Sequence, residues 1–354
     1  GDVYKRQEWR FQNAYSGFVV LEEKSHDDKL QYRIGQMLHT GTGTSKDDEG
    51  AARYWEKSAK LGNINAQYAL GTLWLETGSG DSGQAVEWLT KAANAEHSAA
   101  QYVLGKLYQD GVYFNKDMDQ AMKWFRSAAE LGNEYAAYRM GCLLLLGEKI
   151  PKDVEAAVKW LSLSAEKGNP YAQYRLGMLY LKGEEFSPQV EVAMKWLQQA
   201  AEQKNEWAFY QLGKLYLSGE HVTKNVETAV HYLGLCAEKG NQYAQYALGK
   251  LYLCGRDVSR DREKAVEYLT ASAEQGNLYA SFLLEHLDAY QDPSLFLAAT
   301  RLLHHLEKLF CEEVQRPMEM KRYQIDRKRR RKLSEKKQAQ GHHRDDQEPV
   351  QGIY

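Results

Sequence analysis

The reactive or ligating side chains of this chain are four cysteines, ten histidines and a run of six consecutive cations. Cys142, Cys236, Cys254 and Cys311 show no paired Cys-x-x-Cys spacing. Zinc knuckles and secreted disulfide frameworks need such pairs, so these cysteines read as small buried residues of a chain in a reducing compartment. The adjacent histidines are His304-His305 and His342-His343. Neighbours on a helix point about 100° apart, so His304 and His305 cannot easily share a metal. His342 and His343 lie beside Asp345 and Asp346 in a polar tail, where no structured metal site is expected. Glycines recur at long intervals rather than in a phosphate-cradling cluster, and neither a nucleophile elbow nor a zinc-protease motif occurs. The sequence therefore predicts no catalytic residue, no metal and no cofactor.

The cations are more suggestive. Arg327, Lys328, Arg329, Arg330, Arg331 and Lys332 follow Lys321 and Arg322. Six consecutive cations are costly to bury, so the segment should be exposed. As a phosphate-binding arm it would give salt-sensitive, sequence-independent affinity for DNA. As a solvated helix it would do nothing specific, and a membrane-surface role is a third reading. Only Tyr323 interleaves with the cations, so base stacking is weakly supported. From Met320 onward the net charge is +6, against −2 for the whole chain, which leaves −8 for the rest. An acidic body thus ends in a basic tail.

The elements that would position these groups are repetitive. Gly35, Gly71, Gly105, Gly141, Gly177, Gly213 and Gly249 are separated by 36, 34, 36, 36, 36 and 36 residues. A fixed period of this size means stacked units rather than one globular core. Each unit reads as two helices. Gly-Asn pairs such as Gly240-Asn241 stop one helix in a left-handed residue and cap the next. Glu96-His97 and Lys204-Asn205 depart from that pattern. Within the first helix, Ala244, Leu248 and Leu251 share a face. The helical glycine costs about 1 kcal/mol against alanine, so its recurrence implies close approach of a neighbouring helix.

A second glycine follows six residues later, and six beyond that comes Asp47, Asp117, Asp153, Gln189, Asn225 or Asp261, with Asp81 in the short second unit. Six of these seven are strong N-cap types, and they predict the start of the second helix. That helix carries a small residue three before an aromatic one. Ala121, Ala157, Ala193, Ala229 and Ala265 are followed by Trp124, Trp160, Trp196, Tyr232 and Tyr268, and Ala85 by Trp88. Small and large residues at fixed spacing describe knobs meeting shallow holes. Periodic tyrosines, Tyr102, Tyr138, Tyr174, Tyr210 and Tyr246, read as framework with hydroxyls at a groove edge.

The period of 36, the pattern Gly-Asn-x-x-Ala-Gln-Tyr-x-Leu-Gly and the Ala-x-x-Trp of the second helix resemble the Sel-like repeat family, a branch of the tetratricopeptide-like helical repeats. That resemblance implies a right-handed α-solenoid that scaffolds protein complexes. Some secreted, cysteine-rich members are assigned hydrolytic activity, but their cysteine pair in each repeat is missing here. More narrowly, Ile325 to Asp346 looks like the C-terminal tail of mobilisation-protein relaxases from conjugative elements of Gram-positive gut bacteria. That resemblance implies an upstream nicking domain, since no metal-binding histidine cluster of the His-x-x-His-x-His type is present.

The expected architecture is an all-α, right-handed α-solenoid superhelix of about seven helix-turn-helix repeats. Residues 1–27 form an N-terminal segment with a possible helix, its first seven resembling translated adaptor sequence, so the chain reads as a fragment. Residues 28–276 hold the array, 277–316 a terminal first helix and a capping helix, and 317–354 a disordered basic tail. The expected role is a non-catalytic, cytoplasmic, monomeric scaffold that holds a protein or peptide in a concave groove. No run of eighteen apolar residues predicts membrane insertion. The alternative is the partner-recruiting, DNA-contacting arm of a relaxase. Specificity should lie at positions that vary between repeats.

Overall fold

A computed structural model describes residues 2–78, 81–147, 151–183 and 187–287. These residues form sixteen α-helices and no strand. After α1 (Asp2–Ser25) come seven pairs. Their first members, the A helices, are α2 (Asp28–Thr40), α4 (Ile64–Thr77), α6 (Ser98–Asp110), α8 (Glu134–Leu146), α10 (Pro170–Lys182), α12 (Glu206–Ser218) and α14 (Gln242–Cys254). The B helices are α3 (Asp48–Lys60), α5 (Ser82–Asn94), α7 (Met118–Glu130), α9 (Val154–Glu166), α11 (Val190–Glu202), α13 (Val226–Glu238) and α15 (Arg262–Glu274). An eighth A helix, α16 (Leu278–Glu285), ends at the residue that stands where the other A helices carry their framework glycine. The chain divides into two compact units, Gly1–Lys239 with α1 to α13 and Gly240–Tyr354 with α14 to α16.

Local chemistry sets the helix boundaries. Six B helices begin at an Asp or Asn whose side chain accepts from a backbone N–H, as Asp153 does from Ala156 at 2.9 Å. Gln189 makes no such bond. Its longer side chain does not reach the N–H that Asp or Asn captures. Between repeats, Gly168 adopts φ of 96° and Asn169 then caps α10 through Tyr171 and Ala172. Glu96 and Lys204 hold the same left-handed place with φ of 62° each, where a side chain is strained.

α1 joins the first unit as a B-type helix. His26, with φ of 51°, and Asp27, which caps α2 through the N–H of Leu30, reproduce the Gly62-Asn63 junction. Gln31 Nε2 donates to Glu22 Oε1 at 2.8 Å, just as Gln67 Nε2 donates to the carbonyl of Ala59. Tyr15, Phe18 and Val19 pack against the core of the first pair.

In the first unit the core is a chain of clusters, each shared by a B helix and the next A helix. Leu89, Ala92 and Ala93 of α5 meet Ala100 and Leu104 of α6, and Leu161 and Ala165 of α9 meet Ala172 and Leu176 of α10. A fully buried leucine contributes about 1.5–3 kcal/mol. In the second unit Leu253, Ala265, Leu269, Ala280 and Leu283 form the core. Polar pins fix the register within four of the seven pairs, with alanine at the equivalent place in the other three. Ser58 Oγ donates to the carbonyl of Asp28 at 2.6 Å, and Ser164 Oγ to that of Glu134 at 2.6 Å. Ser272 repeats this in the second unit at 2.8 Å. Cys236 stands in the same place and directs its Sγ to the carbonyl of Glu206 at 3.4 Å.

Candidate partner-binding surface

The framework glycines lie where helix A meets helix B. A Cβ added to Gly71, Gly105, Gly141, Gly177, Gly213 or Gly249 would come within 2.5 to 2.7 Å of Leu89, Phe125, Leu161, Leu197, Leu233 or Leu269 respectively. Beneath that contact Ala85, Ala121, Ala157, Ala193, Ala229 and Ala265 are fully buried. Trp88, Trp124, Trp160 and Trp196 are only half-buried. The residue that fills the space over the glycine is the one that follows each tryptophan. The tryptophans reach across repeats instead: Trp124 packs on the α5–α6 cluster and Trp196 on the α9–α10 cluster. Sequence spacing had paired alanine with the tryptophan. On a helix i+3 and i+4 are both neighbours of i, and it is packing that places Leu89 rather than Trp88 over Gly71.

The adjoining face of the A helices carries the features that can engage something else. Three residues before each framework glycine stands a tyrosine, as with Tyr138 and Tyr174. These rings are half-buried, and burial pushes the Tyr138 hydroxyl up to about 12 and raises that of Tyr174. Six residues before the glycine the type varies: Lys29, Asn65, Ala99, Tyr135, Tyr171 and Trp207 in the first unit. Tyr135, Tyr171 and Trp207 are 49%, 51% and 48% exposed. The two positions meet across repeats. The Tyr102 and Tyr135 ring centroids are 6.2 Å apart, as are those of Tyr138 and Tyr171. In the second unit Tyr246 and Tyr279 repeat the contact at 6.1 Å. Half-exposed rings thus meet at two successive steps, α6 to α8 and α8 to α10, and Trp207 continues the aromatic stripe onto α12.

Cations lie along the stripe. Arg175 acts electrostatically on Tyr138 and Cys142 of the preceding repeat, as Arg139 does within its own. Lys214 Nζ sits 5.6 Å from the Tyr210 ring centroid, within cation–π range. The exposed members of the stripe were missed in the sequence because they vary. Their aromatic character from the fourth repeat onward was the available signal.

Cys142, Cys236 and Cys254 are free thiols, and burial raises Cys142 and pushes Cys236 up to about 11, so both stay protonated at neutral pH. Among the described residues no three His, Cys, Asp or Glu side chains gather as a metal site, and no helix is long and apolar enough to cross a membrane. Cys311, His304, His305, His342, His343, the capping helix and the basic residues Lys321, Arg322, Arg327, Lys328, Arg329, Arg330, Arg331 and Lys332 lie outside the described residues.

Seven segments match the Sel1 repeat: residues 29–63, 64–97, 98–133, 134–169, 170–205, 208–241 and 242–277. The structure is similar to that of a protective antigen of uropathogenic Escherichia coli with an SLR fold. That match has a TM-score of 0.70 and 31% identity, over 76% of this chain and 59% of the antigen. It is also similar to a Sel1 repeat protein from Oxalobacter formigenes, with a TM-score of 0.63 and 29% identity over 74% of this chain and 76% of that one. Chitin synthase regulatory factor 1 of Schizosaccharomyces pombe is 32% identical over 106 residues, which are 28% of this chain and 23% of that protein. The chain thus spans less than two thirds of the antigen and under a quarter of the regulatory factor. These matches lend no support to the relaxase resemblance. Sel1 repeats are generally non-catalytic scaffolds that mediate protein–protein interaction, and with seven of them across well over half its length this chain belongs to the Sel1 repeat family.

Proposed function

We propose that this chain is a non-catalytic scaffold that binds a partner protein or peptide along its A-helix face, arrays of this kind offering extended binding surfaces. One observation carries the reading. Tyr135, Tyr171 and Trp207 hold half their surface in solvent at one repeat position, each a repeat apart, while the side chains that hold the fold together are buried. Rigid amphipathic rings bury much area at little entropic cost, which is why tyrosine and tryptophan are enriched at interfaces. The B helices carry instead a row of exposed acids, Glu130, Glu166 and Glu202.

The test compares two triple variants as baits in a lysate. Tyr135→Ser with Tyr171→Ser and Trp207→Ser should lose the proteins that the unaltered chain retains. Glu130→Gln with Glu166→Gln and Glu202→Gln should keep them. Retention of the same proteins by the aromatic variant, with helix content unchanged, would defeat the assignment of this face.

A further inference from the structure

We infer that the segment bound on this face is acidic and extended, and that it lies across the third to sixth repeats with carboxylates on Lys106, Arg139, Arg175 and Lys214. The inference rests on the reading of the A-helix face as the binding surface and names the chemistry of its partner.

Four successive A helices each place one cation on or beside the aromatic stripe. Arg139 and Arg175 stand two residues before their framework glycines, and Lys106 and Lys214 one residue after theirs. None of the four forms an ion pair with a described residue. The nearest acids along these helices are at their ends, Asp110 closing α6 and Glu134 and Glu206 opening α8 and α12. A guanidinium left without a carboxylate beside half-exposed rings is a ready bidentate donor. The cations therefore complement an anionic ligand that the rings hold by apolar contact.

Spacing points to an extended chain. Successive A helices bring their rings to 6.2 Å from one another, so one repeat advances by a distance of the order of a helix diameter, about 10 Å. An extended polyproline-like peptide rises about 3.1 Å per residue and turns once in three residues, or about 9 Å. One acidic residue in every three would therefore meet one cation per repeat. A nucleic-acid strand is also anionic and stacks on aromatic rings. The net charge of −8 outside the tail opposes a polyanion, whereas a short acidic peptide needs only local complementarity.

The test uses the full chain and fluorescently labelled peptides of about twelve residues in which every third residue is Glu, Gln or Lys and the rest are Pro and Leu. A thymidine oligonucleotide of similar length is the fourth probe. The Glu peptide should bind at least about tenfold tighter than the Gln peptide, as charge-assisted hydrogen bonds imply, and should weaken as salt rises. Arg139→Gln with Arg175→Gln should abolish the preference. Arg139→Glu with Arg175→Glu should transfer it to the Lys peptide. Equal binding of the Glu and Gln peptides would overturn the acidic partner while leaving a peptide-binding face intact. Tighter binding of the oligonucleotide would overturn it in favour of nucleic acid. If no peptide binds, the inference also fails, and the lysate comparison decides separately whether the face binds protein at all.

Discussion

Gly177 of α10 lies so close to Leu197 of α11 that a methyl group on the glycine would sit 2.7 Å from Leu197 Cγ and 3.1 Å from the carbonyl oxygen of Ala193. The contact repeats at intervals of 34 or 36 residues and explains why a poor helix former persists in the middle of a helix. Gly177→Ala should gain helix propensity and still lose net stability, by about 1–3 kcal/mol, because the core side chain has no room to retreat. Gly234, inside α13, has nothing within 4 Å of the place a Cβ would take. There the same change should stabilise by roughly 0.5–1 kcal/mol. Urea unfolding of the two variants checks both signs, and equal effects would remove the packing argument.

Gln189 is the B-helix start without a side-chain cap. Its backbone, with φ of −124° and ψ of 79°, is near that of Asp153 at −137° and 96°. Gln189→Asp should therefore stabilise α11 by about 1 kcal/mol. Thermal unfolding reads the gain, and no change would show that the local backbone keeps the carboxylate from the exposed N–H groups.

His97 replaces the usual asparagine and caps α6 by accepting from the N–H of Ala100 at 3.2 Å through Nδ1. That role requires the neutral ring, and burial lowers its pKa below the ordinary value. A lowered folded pKa means that the stabilisation is present above the unfolded value of about 6.5 and is lost as pH falls through the folded value. The chain should lose stability as pH falls below about 6.5, and His97→Asn should remove that component of the loss. Melting curves across this range, with and without the substitution, measure it. An identical pH slope in both proteins would exclude His97 as its source.

Much of the fold was legible because its signals are local or periodic. The Gly-Asn junctions, the Asp and Asn caps and the glycine ladder each state their backbone requirement in the residue itself. The partner of the glycine was not legible from Ala-x-x-Trp. Both the tryptophan and the residue after it are large and apolar, and only three-dimensional packing separates the buried Leu161 from the half-buried Trp160. The aromatic stripe was hidden for a different reason. Tyr138 recurs and so reads as framework, while Tyr171 and Trp207 belong to a position that begins as Lys29, Asn65 and Ala99. Periodicity identifies what every repeat must keep, and a surface that distinguishes one array from another lies in what the repeats do not share.

The central claim is that the A-helix face, not the B-helix face, meets the partner. A photo-crosslinking amino acid placed at Tyr171 or at Glu202, both exposed and on the A and B helices of one pair, tests it directly in cells that produce the protein. Adducts at Tyr171 that are absent at Glu202 are the expected result. Adducts at Glu202 alone, or at neither position, would contradict the claim.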